Sequence, residues 1–297
     1  MRHVFHDDNL DREFEVQGYV VVRLISAAAA ESAQARLREI DATTGPLPLE
    51  PEDKLIRSVR HPNSAHREAV DLAGRELLAE KILGLLDEYR VLSCGSMIKL
   101  PKTGELEVHR DWTITREEAR PTISAWCTLE VTTPRNGALA VLPGSHRLPN
   151  IETAGVKAGY HRFSAALKRR SIQLSLQTGE AVLFDNRLLH WSAANRTERP
   201  RHALRAMLLP AEEPHVFYRL DTETEGSRFE LILLDTRPGL RARPGEIKAP
   251  LNVPSLGFVA NANRELSLRE CEHVLRGDVA SSKMASILGR LTTFLRG

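Results

Sequence analysis

In the segment EVHRDWTI, residues 107–114, His109 and Asp111 stand one residue apart. Side chains alternate along a β-strand, so the two would point to one face and could grip a single cation. With 11 His and 39 acidic residues in the chain, such a pair also arises at a polar strand edge, and a metal site needs a third ligand. GEAVLFDNRLLHWSAAN offers one: a Gly turn leads into the apolar strand Ala181 to Phe184, and His190 closes the next apolar segment. Two imidazoles and a carboxylate form the facial triad that suits Fe(II) in oxygenases, with three positions left open. Zinc more often takes three His or includes Cys, and magnesium prefers more oxygens.

Full reduction of O2 at such a centre needs two electrons beyond those drawn from a substrate bond, and a 2-oxo acid can supply them. Chelation through its C1 carboxylate and keto oxygen leaves the far carboxylate for a fixed cation, and the planar fork of Arg matches a carboxylate best. That Arg should follow the distal His on the next strand. HWSAANRTERPRHALRAMLLP holds four. Arg196 and Arg199 fall in the turn-like NRTERP and read as solvated. Arg201 and Arg205 open the following strand, four apart and facing the same way, and spacing does not separate them.

These groups need a frame. From Val91 to Leu209 the chain consists of short apolar or alternating segments: VLSCGSMIKL, TISAWCTLEV, GALAVLPGS, SIQLSLQTG, EAVLFDN and RHALRAMLLP. Turn residues such as Pro134, Asn136, Gly144 and Gly179 separate them, which predicts an antiparallel sandwich or barrel. Before it, residues 14–41 read as a strand running into an Ala-rich helix N-capped by Ser26, and a second helix spans about 66–89. The tail opens as polar loop with strand character in RFELILLD and closes on helical pattern in SLRECEHVLRG and SSKMASILGRLTTFLRG. The expected organisation is one domain over residues 1–297: a mostly helical scaffold to residue 90, the β core over 91–210, and an extension with helices over 211–297. The fold class is therefore mainly β with flanking helices, α+β.

Composition is that of a globular protein, 42% hydrophobic and 27% charged. A formal charge of +2, with 41 basic residues spread among 39 acidic ones, gives no nucleic-acid footprint and leaves a small anionic ligand open. No apolar run reaches the roughly 18–20 residues of a membrane span, and the N-terminus lacks a signal-peptide core, so a cytoplasmic location is expected. Cys94, Cys127 and Cys271 are far apart and without metal-ligand spacing, and read as reduced core residues.

HRD, SAWCTLEVTTPRNGALAVLPGSHRL and LQTGEAVLFDNRLLHWSAANRTERPR, in that order, closely resemble the phytanoyl-CoA dioxygenase-like family of Fe(II)- and 2-oxoglutarate-dependent oxygenases. NGALAVLPGSH is the most specific piece, and the N-terminal strand and helix resemble the family's opening more loosely. The resemblance implies a double-stranded β-helix, the cupin-like jelly roll, with metal in its open mouth. It implies that His109, Asp111 and His190 bind iron and that Arg201, eleven residues after the distal His, holds the far carboxylate of 2-oxoglutarate in preference to Arg205. Ser192 would assist at that carboxylate, Trp126 and Met97 would line the co-substrate pocket, and Arg57 is the nearest match to a basic residue that approaches the co-substrate. Asn195 would fix the loop after the distal His, and Pro143 to His146 would form a tight turn.

The implied reaction consumes O2 and 2-oxoglutarate, releases succinate and CO2, and hydroxylates an unactivated C–H bond of a small-molecule substrate. Halogenases of this architecture have a small residue where Asp111 stands, so hydroxylation is the default, with desaturation, epoxidation or ring closure as variants. The FDN turn at 184–186 is assigned no chemistry. A loop over 147–170, with Lys157, His161, Arg162, Lys168, Arg169 and Arg170, reads as a basic lid that would suit an anionic or carrier-linked substrate. In the tail, Leu268, Cys271, Val274 and Leu275 form one apolar stripe and Ile287, Leu288, Leu291, Phe294 and Leu295 another, fit to pack on the domain or on a second chain as a homodimer. The rival classes are a metal-dependent isomerase or epimerase, which has no use for Arg201, and a catalytically silent binding module.

Overall fold

A computed structural model describes the chain except residues 1–2, 49, 51–52, 117–119, 154–155, 157–158, 235–253 and 277–297. Three helices come first. Asp7 caps α1 (Asp8–Gln17) by accepting from the amides of Asn9 and Leu10, and Gly18, in the left-handed region, ends it. Sequence reading takes FEVQ as the approach to a strand; it is the last turn of α1, because Phe14 is needed against Phe5 in the core. Strand β1 (Tyr19–Arg23) follows, and α2 (Ala27–Thr44) starts at Ser26, whose hydroxyl accepts from Ala29 N. The next helix, α3 (Ser64–Leu83), stops short of the expected residue 89. Gly84 caps it, and Leu86 instead bridges to Phe5 and packs in the core.

A six-stranded antiparallel sheet carries the order β1-β8-β5-β10-β3-β2, with β2 (Leu55–Arg57), β3 (Tyr89–Lys99), β5 (Ile123–Thr128), β8 (Glu180–Asp185) and β10 (Arg201–Pro210). The segment before residue 90 thus supplies both edge strands as well as helices. A four-stranded sheet runs β4-β9-β6-β7, from Leu106–His109, His190–Ser192, Leu139–Val141 and Ile172–Gln173.

Strand alternation explains the layers. On the large sheet Ala125, Cys127, Ala181, Leu183, Leu204 and Ala206 pack outward against the helices, burying the main core. The intervening residues Trp126, Val182, Phe184 and Ala203 face inward and meet Leu139, Val141, Leu174 and Leu188 of the other layer. This is the antiparallel layered arrangement that the turn spacing predicts, in the jelly-roll form that the resemblance implies. All three cysteines are free and buried.

Beyond it, β11 (Val216–Leu220), β12 (Arg228–Leu233) and β13 (Ser255–Ala260) form a third antiparallel sheet, and RFELIL is a strand as read. Helix α5 (Leu268–Arg276) lays Cys271, Val274 and Leu275 on the outer face of the small sheet, with Tyr160 and with Leu167 of α4 (Ser164–Lys168). That stripe packs on its own chain, and the stripe at 287–295 lies outside the described residues. No helix among the described residues is long and apolar enough to cross a membrane.

One glycine is indispensable to this frame. Gly179 has φ +83°, its carbonyl accepts from both Leu24 N and Ile25 N, and a Cβ there would fall 2.0 Å from Ile25 O. Gly179→Ala is expected to cost about 2 kcal/mol or more, read as a lower urea midpoint at unchanged slope.

Candidate active site

Strands β4 and β9 pair antiparallel so that His109 lies directly opposite His190. Their rings stand 4.3 Å apart between centroids, and Asp111 follows two residues on, where its amide donates to Asn186 O at 2.9 Å. One ligand atom from each of His109, Asp111 and His190 lies within 4.8 Å of the others. Among the described residues this is the group of His, Cys, Asp and Glu able to hold a metal ion, so the structure brings together the three residues read from spacing.

Both imidazoles are turned the same way. His109 Nδ1 is 2.8 Å from Glu107 O and His190 Nδ1 is 3.0 Å from Leu188 O, contacts that put the ring proton on Nδ1 and leave Nε2 with its lone pair for a metal. Burial, reinforced by His109, pushes His190 down to about 4, so it is the neutral, ligating form. Burial would raise the Asp111 carboxyl, but Arg205, His190, His109 and Ser124 outweigh it and hold the group below the usual carboxylate range. A neutral imidazole and an ionised carboxylate are what a divalent cation requires.

Arg201 and Arg205 face the same way, as their spacing implies, and that way is inward; their surroundings separate them. Arg205 Nη2 donates to Asp111 Oδ2 at 2.5 Å and to Ser124 Oγ at 2.7 Å, and Ser124 donates on to Asn186 Oδ1 at 2.7 Å. Arg201 is buried with its guanidinium 4.7 Å from the Trp126 ring; Nη2 donates to Gly137 O at 3.3 Å, while Nε and Nη1 have no partner. Burial pushes it down to about 10, opposed by Glu130. Arg196 and Arg199 are exposed, as expected of the turn.

A cavity of about 370 Å³ contains the three ligands together with Arg201, Ser192, Trp126, Met97 and Arg57. A second of about 370 Å³ shares His109, Asp111, Arg205, Arg57 and Arg60 with it and extends over Leu92, Ile114, Met207, Val216 and Phe217. His109 and Asp111 therefore sit where the two meet, and His190 faces the first. A more open depression bounded by Glu105, Arg135, Gln173 and Arg196 holds none of the three.

Comparison with known proteins follows from this geometry. A family model described as Phytanoyl-CoA dioxygenase (PhyH) matches residues 14–203, more than half of the chain. The chain belongs to the phytanoyl-CoA dioxygenase family. A probable alpha-ketoglutarate-dependent hypophosphite dioxygenase of Stutzerimonas stutzeri is 27% identical over 166 residues, 51% of this chain and 56% of that protein. In each of the curated relatives it matches, the chain spans less than two thirds of their length. Among solved structures, the non-heme alpha ketoglutarate dependent carbocyclase SnoK from nogalamycin biosynthesis is 21% identical with a TM-score of 0.55, covering 70% of this chain and 86% of that one. The epimerase SnoN, solved with Fe3+, alpha ketoglutarate and nogalamycin RO, is 19% identical with a TM-score of 0.54, covering 83% and 93%. At such identity the likeness establishes the cupin-like jelly-roll fold.

The sequence reading gives no role to two residues of this phytanoyl-CoA dioxygenase family member. Asn186, in the FDN turn assigned no chemistry, receives both the Asp111 amide and the Ser124 hydroxyl, so that turn supports a ligand. Lys99, fully buried, donates to Gly104 O at 2.6 Å and to Ser192 Oγ at 3.3 Å. Asn195 fixes its loop as read, donating to Arg199 O at 2.8 Å and accepting from Thr197 N. Pro143 to His146 form the tight turn, and Ser145 Oγ there accepts from Leu189 N, beside His190.

The basic lid over 147–170 is corrected. Arg162 pairs with Glu265, Lys168 with Glu105 and Arg170 with Glu272, and none of these three lines either cavity. Lys157 lies outside the described residues. Because Arg205 donates to Asp111 Oδ2 and so fixes that carboxylate, Arg205→Ala is expected to weaken Fe(II) affinity about 10- to 100-fold, measured by metal titration.

Proposed function

We propose that this chain is an Fe(II)- and 2-oxoglutarate-dependent oxygenase that hydroxylates a C–H bond of a small molecule. The observation that carries the reading is the Arg201 guanidinium, buried with two nitrogens unpartnered in the cavity that contains His109, Asp111 and His190. A buried cation without an anion is costly, and a guest carboxylate removes the cost. A metal-dependent isomerase without a co-substrate has no need of it.

His109, Asp111 and His190 would hold the iron, which with 2-oxoglutarate and O2 supplies oxidation of a C–H bond and leaves succinate and CO2. Arg201 and Ser192 would hold the far carboxylate, Trp126 and Met97 would wall the co-substrate, and Arg57, which borders both cavities with Nε unpartnered, would approach it from the other side. The second cavity would take the substrate, its apolar body on Leu92, Ile114, Met207, Val216 and Phe217. Arg57 and Arg60 at the junction support an anionic group on that substrate, since neither has an ion-pair partner among the described residues. Asp111 occupies the position that a halogenase keeps small, which favours hydroxylation.

The test is succinate release from 2-oxoglutarate with Fe(II), ascorbate and a panel of small carboxylates, phosphates and neutral analogues. A product that gains one oxygen atom from 18O2 supports hydroxylation. Succinate release with a product of unchanged mass, or one lighter by two hydrogens, would replace hydroxylation by epimerisation or by desaturation and ring closure. Failure of the metal-loaded protein to bind 2-oxoglutarate would overturn the whole reading.

A further inference from the structure

We infer that Lys99 is a positioning residue for the co-substrate: acting through Ser192 and beside Arg201, it completes a cationic floor that holds the far carboxylate of a dicarboxylic 2-oxo acid. The inference rests on the oxygenase reading above and adds a residue and a proton to it.

Geometry comes first. In the β10–β3 ladder Lys99 is the direct partner of Arg201, so the two cations leave their strands side by side. Lys99 is fully buried, and its ammonium reaches Gly104 O and Ser192 Oγ but no carboxylate among the described residues. A serine hydroxyl has one proton and two lone pairs. Once Ser192 Oγ accepts from Lys99, its own proton is free to donate into the cavity it lines. Gly137 makes the room: a Cβ there would come within 3.0 Å of Lys99 Cγ, and its carbonyl takes the one bonded nitrogen of Arg201.

Two neighbouring cations buried without an anion repel each other and are both poorly solvated. A guest carboxylate at Ser192 and Arg201 relieves both terms at once. Burial pushes the Lys99 ammonium down to about 8, with Arg201 and Lys54 pushing in the same direction and Glu105 opposing. Above that pH the empty site holds a neutral amine, and an arriving carboxylate restores the proton. Co-substrate affinity gained from the ammonium is therefore complete below about pH 8 and is lost as pH rises through it.

The experiment titrates 2-oxoglutarate into the Fe(II)-loaded full chain without O2, following the visible absorbance of the chelate from pH 7 to pH 9. In the wild type Kd should rise roughly tenfold over that interval. Lys99→Met should bind about 10- to 100-fold more weakly at pH 7 and lose the pH dependence. Lys99→Arg, whose charge does not titrate here, should recover affinity and stay flat. A wild-type Kd that does not change with pH, or a Lys99→Met protein that keeps the wild-type slope, overturns the inference. Competition from hydroxide at iron would persist in Lys99→Met and is separated in this way. Should Lys99→Met fail to fold by thermal melting, the wild-type and Lys99→Arg profiles decide. No binding of 2-oxoglutarate by the wild type at any pH would instead sink the oxygenase reading, a different failure.

Discussion

His190→Ala is expected to abolish both iron retention and turnover. His190 is buried directly opposite His109, and its Nδ1 is already committed to Leu188 O, so what it can offer a metal ion is Nε2. No other His, Cys, Asp or Glu among the described residues completes the group, so no neighbour can substitute. Loss of a partner that merely orients a ligand costs about 10- to 100-fold, and loss of the ligand itself should exceed that. The checks are iron content after gel filtration and succinate release. Stoichiometric iron and undiminished turnover in this variant would remove the basis for the site. The substitution also opens space beside Phe184, 4.9 Å away between ring centroids, so a melting curve must accompany the assay.

Arg201→Ala should give the second-largest effect, and on a different quantity. Removing one member of a buried, hydrogen-bonded charge pair costs about 2 to 5 kcal/mol, roughly 30-fold or more in the affinity for 2-oxoglutarate. Iron binding should be untouched, because Arg201 contacts Gly137 and Trp126 and no ligand residue. Arg205→Ala should show the converse, weak iron binding with a modest change in 2-oxoglutarate KM once iron is saturating. Both variants leave the strand intact, since each side chain is shortened without altering its backbone bonds. Reversal of the two phenotypes would assign the co-substrate to Arg205.

The arginine pair shows where sequence stops being informative. Period-two alternation put both on one face, which is the inner one, but the choice between them depends on what surrounds each: Ser124 of the neighbouring strand and Asp111 for one, Trp126 of that same strand and Gly137 for the other. The candidate metal group was legible because the H-x-D spacing brings His109 and Asp111 together, although Asp111 lies two residues beyond the end of β4 and is held there by Asn186 O, and the distal His opens the paired strand β9. Lys99 was not, since nothing in its local sequence marks it, and its burial arises from Gly104, Ser192 and Gly137, which are remote or follow a turn. The basic loop misled for the matching reason. Its partners Glu265 and Glu272 lie about a hundred residues away in sequence, so local charge counting found cations that the fold neutralises. Helix α1 was missed because Phe14 and Val16 resemble the start of the strand beyond Gly18.

Each imidazole is tethered to the carbonyl two residues earlier in the chain, Glu107 of β4 for His109 and Leu188, just before β9, for His190. The aim of both rings is thus set within two tripeptides and owes nothing to the side chains that wall the second cavity. Such self-contained mounting lets the apolar walls be re-tailored for a new guest while the two imidazoles keep their alignment, so one scaffold can diversify its chemistry through its periphery.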